Sequence, residues 1–250
     1  MLKTLLLYIV FFAYTNSSVT AGYEEKPEHY NFKFNGFTGK IDKNAAQRGL
    51  QVYLEICASC HGLQHLAYRN LSEIGYNKKQ INQIANEFIV AGLPNDEGII
   101  EERKAIYSDN FADPYPNASA AKALNNGAYP PDLTLMIKAR KDGANYVRSL
   151  LLGYEDAPEG FDVGEGYYNK YMPGKVIAMP QPLYGEDVEY KDGTVATLEQ
   201  EVLDLVTFLT WSAMPELEER RFAGIKVILF LIAMTFVFFL SYRKIWSQLK

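Results

Sequence analysis

The chain has 250 residues, is 48% hydrophobic and carries a net charge of −5. Positions 22–221 hold 20 basic residues against all 30 acidic ones, net −10, which argues against nucleic-acid binding and suits docking to a basic protein. That stretch is long enough for one domain with a sizeable core.

At the N-terminus, Lys3 precedes an apolar run from Leu5 to Ala13, and the small-residue site Val19-Thr20-Ala21 follows. The pattern is that of a cleaved secretory signal over 1–21, since the apolar run is short for a membrane span. Tyr23 to Lys43 reads as a polar arm dotted with aromatics. Asn44 to Ile56 has helical spacing, with Ala46, Leu50, Tyr53 and Leu54 on one face, and leads straight into Cys57-Ala58-Ser59-Cys60-His61. Those are the only two cysteines. Cys-x-x-Cys-His is the pattern of covalent haem attachment: two thiols about one helical turn apart match the two vinyl groups, and the next residue brings an imidazole beneath the iron.

Lys79 to Val90 is expected to be helical, with Ile81, Ile84, Ala85 and Phe88 on its apolar side. Pro94 and Gly98 open a segment read as irregular to Asn117. A short helix is expected over Ala118 to Leu124, stopped at Asn125-Asn126-Gly127. Another is expected from Pro130-Pro131-Asp132 to about Arg140, and a third over Tyr146 to Leu152. Glu155 to Lys170, rich in Gly and acid, reads as a loop. Val188 to Tyr190 and Thr194 to Ala196, around Lys191-Asp192-Gly193, suggest a small hairpin. Thr197 and Gln200 have capping-box spacing, and Leu198, Val202, Leu205, Val206 and Leu209 repeat helically after them.

After Pro215 and a charged run from Glu216 to Arg221, the stretch Phe222 to Tyr242 holds 21 residues and one charge, Lys226. At helical rise this is about 31 Å, enough to cross the hydrocarbon core. Phenylalanines fall on all sides of it, Lys226 can snorkel to the headgroups, and Trp246 with Arg243 and Lys244 marks the far interface. Basic residues flank both ends equally, so orientation rests on the export signal: residues 22–221 outside, 243–250 a cytoplasmic tail. The fold expected is mainly α, a c-type cytochrome with long loops, one small hairpin and one C-terminal transmembrane helix.

An iron held by His61 alone would have an open sixth position, whereas a thioether there closes it and raises the potential. Met136 sits on an apolar helix face and reads as core, and Met214 lies near the membrane. Met172-Pro173-Gly174 and Met179-Pro180-Gln181-Pro182 both lie in Pro-flanked loops, and composition does not separate them. His65 is too close in chain to reach the opposite haem face, and His29 lies in the polar arm. Two thiols with one adjacent imidazole leave a zinc site incomplete. A thiol–disulfide oxidoreductase would use Cys57 and Cys60 but has no need of His61.

In order along the chain, Cys57 to Gly62, Ala67-Tyr68-Arg69, Pro114-Tyr115-Pro116-Asn117, Asn125-Asn126-Gly127-Ala128, Pro130-Pro131-Asp132-Leu133, Ile177-Ala178-Met179-Pro180 and Asp192-Gly193-Thr194 resemble the cytochrome c1 family, the haem subunits of ubiquinol:cytochrome c oxidoreductase (the cytochrome bc1 complex). The resemblance runs from about Tyr30 to the C-terminal anchor. It implies one haem c bound through Cys57 and Cys60, with His61 and Met179 as the iron ligands. It places Arg140 and Tyr146 at a haem propionate, and Asn125 and Pro131 at the haem edge. It also implies a single-pass protein of a bacterial inner membrane, with its haem domain on the periplasmic side. Such a protein relays single electrons from the Rieske iron–sulfur protein to a soluble or anchored cytochrome c, beside cytochrome b. Some relatives carry extra cysteines that form a disulfide near the ligand loop; this chain has none, so packing alone is expected to hold the Met179 loop. The loop Glu155 to Glu165 looks shorter than inserts in some bacterial members. The rival reading of the same residues is a freestanding membrane-anchored carrier.

Overall fold

The computed structural model describes residues 25–247. The expected cleaved signal over 1–21 and the end of the expected tail, 248–250, lie outside the described residues. Two long helices form the spine of the soluble domain. The first, α1 (Lys43–Glu55), starts where the Asp42 carboxylate accepts from the backbone of Asn44 and Ala45 at 3.1 and 3.2 Å. It buries Ala46, Gly49, Leu50, Val52 and Tyr53 and runs into a short 3₁₀ turn, Cys57–Ser59. Its partner near the end of the soluble domain (Leu198–Ala213) begins at Thr197, whose hydroxyl accepts from Gln200 N at 3.2 Å. The expected box is only half formed, because the Gln200 amide turns forward to Asp204 at 2.9 Å.

The two helices meet closely at Gly49, where a Cβ would collide with the Asp204 backbone. Tyr53 and Phe208 face each other beside that crossing, ring centroids 5.9 Å apart. Arg48 clamps it, bidentate on the buried Asp204 at 2.8 and 2.9 Å and reaching Asp192 at 2.9 Å. Between these helices the chain forms a 3₁₀ stretch (Tyr68–Ile74), α2 (Lys78–Ala85), strands β1 (Ile89–Pro94) and β2 (Ile100–Lys104), α3 (Ala118–Leu124), α4 (Met136–Ala139), α5 (Gly143–Leu152), and strands β3 (Tyr167–Tyr168) and β4 (Val176–Ile177). The helix Leu198–Ala213 is therefore α6, and α7 runs from Leu217 to Ser247.

Three expectations need correction. The helix read as 79–90 stops at Ala85, and the β-branched Ile89 and Val90 instead pair with Lys104 and Arg103 in an antiparallel hairpin. Its turn is made by Asn95, whose side chain accepts from Glu97 N and Ile99 N, and by Gly98 at φ +80°. The helix read from Pro130 covers only Met136–Ala139, because Asp132 spends its carboxylate on Thr134 N in an Asx turn and on Gln64 N across the fold. The hairpin expected at 188–196 has no ladder: Asp187 N and Val188 N are taken by the Glu201 carboxylate, and a short one forms at β3–β4. The charged run Glu216 to Arg221 leads, from Leu217 on, as helix straight into the apolar stretch. The apolar part of α7 is exposed and is long and apolar enough to cross a membrane.

The N-terminal arm is built into the domain rather than loose. Phe32 and Phe34 are buried with their rings stacked at 4.7 Å, and Glu28 N and Tyr30 N donate to Ser149 and Asn145 of α5.

Glu201 is fully buried on α6, with Oε1 accepting from Asp187 N at 2.9 Å and Val188 N at 3.2 Å. Its Oε2 has no partner among the described residues. Burial pushes this carboxyl up from 4.5 to about 7. The folded state thus holds the proton more tightly than the unfolded chain, so the contribution of Glu201 to stability is fully present below pH 4.5 and is lost as pH rises through 7. Urea unfolding of wild type and E201Q at pH 5 and pH 8 checks this. The wild type is expected to lose on the order of 1–3 kcal/mol more than E201Q across that interval, and equal losses would exclude Glu201 as the source.

Candidate functional site

The 3₁₀ turn carrying Cys57 and Cys60 is closed by Cys60 N and His61 N, both donating to the Cys57 carbonyl at 3.1 and 2.9 Å. Tyr53, one turn earlier on α1, donates its hydroxyl to the His61 carbonyl at 2.9 Å. The His61 Nδ1 lies 2.7 Å from the carbonyl of Pro131. A carbonyl can only accept, so Nδ1 carries the hydrogen and the Nε2 lone pair is left for a metal. Burial, the largest effect on this ring, holds it below its ordinary value and so favours the neutral, ligating form.

The Pro131 segment is laid against the cysteine turn by three further bonds. Leu133 N donates to Gly62 O at 2.9 Å, Gln64 N to Asp132 at 2.7 Å and His65 N to Thr134 at 3.4 Å. Gly62 sits in this seam, where a Cβ would collide with the Asp113 carboxylate and force it to shift. Beside Cys60 opens a cavity of about 240 Å3 lined in part by Asp113, Tyr115, Tyr129 and Asp132. Asn125, at the end of α3, donates to the Tyr115 hydroxyl at 3.0 Å. His61, Cys60, Pro131 and Asn125 therefore belong to one connected wall. His29 and His65 are exposed.

The two methionine loops are held differently. Met172 has its sulfur 3.8 Å from the hydroxyl of the buried Tyr146. Met179 packs partly buried on the core, and its carbonyl accepts from Tyr154 at 3.0 Å. The chain just before Met172 is pinned to the end of α5: Lys170 N donates to Gly153 O at 3.1 Å, Lys170 pairs with Glu155, and the fully buried Asn169 donates to Leu150 O at 2.7 Å. The expectation that packing alone holds this loop is thus corrected, because side-chain-to-backbone hydrogen bonds hold it as well. Arg140 is exposed at the end of α4 and donates to the Ala139 carbonyl at 3.2 Å. Met136 packs on the core as expected.

Tyr53, Gly62, Asp132 and Tyr154 join the site through their contacts in the fold. Tyr53 was legible only as an apolar position of α1, and nothing local signals that Tyr154 reaches a loop 25 positions away. Burial, reinforced by Cys60, pushes the Cys57 thiol up to about 12, away from the lowered value that a nucleophilic cysteine needs.

The Cytochrome C1 family matches residues 32–249 of this chain. "Cytochrome c1 1, heme protein, mitochondrial" of Arabidopsis thaliana is 46% identical over 228 residues, 90% of this chain and 74% of that protein. "Cytochrome c1" of Rhodospirillum rubrum is 39% identical over 237 residues, covering 88% and 87%. "Cytochrome b/c1" of Bradyrhizobium diazoefficiens is 42% identical over 247 residues, 90% of this chain but only 36% of that longer protein.

The close fit at Gly62 makes a test of the seam. Gly62→Ala is expected to cost about 1–3 kcal/mol in urea unfolding, and a neutral result would mean that Asp113 yields freely.

Proposed function

The chain belongs to the cytochrome c1 family, and from that we propose that it holds one haem c through Cys57 and Cys60 and serves as the electron-relaying haem subunit of a cytochrome bc1 complex. The observation that carries the reading is the Nδ1–Pro131 bond, which leaves the other nitrogen of His61 ready to ligate. Haem bound here supplies a one-electron couple and no bond chemistry falls to the chain. Tyr53 and Pro131 orient His61 from its backbone and its ring. Tyr154 and Asn169 hold the loop that presents Met179 as second ligand, and a thioether in that place raises the potential. Met172 is set aside because the family resemblance puts Met179 at the ligand position.

In this reading Arg140 and Tyr146 serve a propionate, and Asn125 with Pro131 walls the haem edge. The partners are cytochrome b, the Rieske iron–sulfur protein as donor and a cytochrome c as acceptor. The acidic balance of residues 22–221 suits a basic acceptor. The haem domain faces the periplasm of a bacterium, anchored by α7 in the inner membrane. A freestanding carrier would migrate alone after solubilisation, whereas this subunit is expected to come away with a b-type haem and an iron–sulfur cluster.

Met179→Leu tests the ligand assignment. The variant is expected to keep covalent haem while its midpoint potential falls by a substantial part of the roughly 0.8 V that axial ligation spans. A wild-type potential and absorption would remove Met179 and send the assignment to Met172.

A further inference from the structure

The first turn of α7 does more than lead into the apolar stretch. Arg221 donates to two backbone carbonyls of the N-terminal arm, Phe34 at 2.8 Å and Gly39 at 2.7 Å, and the Glu218 carboxylate accepts from Ile41 N at 3.1 Å. Both ends of the loop 35–40 are thereby fastened to the helix one residue before Phe222, where its apolar part begins. The loop itself is tightly shaped. Asn35 N donates to Phe32 O, Lys40 N to Lys33 O, Gly36 turns at φ +74°, and a Cβ on Gly39 would collide with the Asn35 carbonyl.

The aromatics that precede the loop are buried, Phe32 at 5% exposure and Phe34 at 6%, but Phe37 at its tip is 62% exposed. A single surface phenylalanine is ordinary by itself. This one is carried on a hydrogen-bonded loop fastened beside the start of an apolar stretch, with Lys40 at its end and Lys33, paired with Asp42 at 2.7 Å, before it. Phe222, next to Arg221 on the helix, is 59% exposed, and Lys226 stands over its ring at 4.4 Å. Aromatic rings next to ammonium groups at the end of an apolar helix are the composition of a bilayer's interfacial layer.

We propose that residues 35–40 form a second membrane contact, with Phe37 seated in the interfacial layer of the bilayer face that α7 enters and Lys40 among its phosphate groups. This rests on the reading of α7 as a membrane span. The contact fixes the tilt of the haem domain over the membrane, because a domain hung from one helix alone swivels about it, whereas two points of attachment define an orientation.

The haem-loaded full-length chain, in vesicles of phosphatidylcholine and phosphatidylglycerol, is labelled with a nitroxide at F37C, at T38C (which leaves Phe37 in place), at F161C on the distant acidic loop and at F230C within α7. Relaxation by oxygen is compared with relaxation by a water-soluble nickel chelate at each site. The oxygen-to-nickel ratio at F37C and T38C is expected to be several-fold above that at F161C and below that at F230C. A ratio at both loop sites equal to that at F161C means the loop is in water and overturns the proposal. Exclusion of both relaxants from the loop means that protein covers it, and also overturns it. A water-like ratio at F230C fails the spanning reading itself and takes the loop contact down with it, which separates the two failures.

Discussion

A histidine that is to hold a metal must offer one ring nitrogen and have the other accounted for. In this chain the accounting is done 70 positions downstream, by the carbonyl of Pro131 at 2.7 Å. Nearly everything around the cysteine turn serves that contact. Proline has no N–H, so residue 131 brings only its carbonyl to this seam. Its neighbours supply the remaining bonds, Leu133 N to Gly62 O and Gln64 N to the Asp132 carboxylate. The α1–α6 crossing, closed at Gly49 and clamped by Arg48 and Asp204, fixes the other side by setting where α1 delivers Cys57.

The long connections are ordered by a recurring device. Buried backbone groups must be paired, and with few strands to pair them the chain uses side chains. Asn169 serves Leu150 and Tyr171, Asp132 serves Gln64 and Thr134, Glu201 serves Asp187 and Val188, Tyr154 serves Met179, and Arg221 serves Phe34 and Gly39. Each such bond is specific to one geometry, so irregular backbone can still present a ligand loop at a defined place.

That device also explains which features were legible in the amino-acid order. Asp42 before an apolar face, Asn117 before alanines, Thr197 before a leucine repeat and the phenylalanine-rich stretch after Arg221 are local signals, and α1, α3, α6 and α7 follow them. The cysteine motif is equally local. The hairpin at 89–104 was hidden because Ile81 to Phe88 extends a helical period up to the first strand, and only Asn95 and Gly98 mark the turn. The absent ladder at 188–196 depends on a glutamate on another element. Met172 and Met179 lie in loops of like composition, and the hydroxyls that touch them, of Tyr146 and Tyr154, come from positions no spacing rule reaches.

The account stands on a porphyrin joined to Cys57 and Cys60 beneath His61. Intact-mass analysis of the mature chain after acid denaturation and solvent extraction tests it most directly. The polypeptide is expected to be heavier by one haem, with the addition mapped to the peptide holding both cysteines and abolished in C57A/C60A. A mature chain at its bare polypeptide mass, with two free thiols after full maturation, would contradict it.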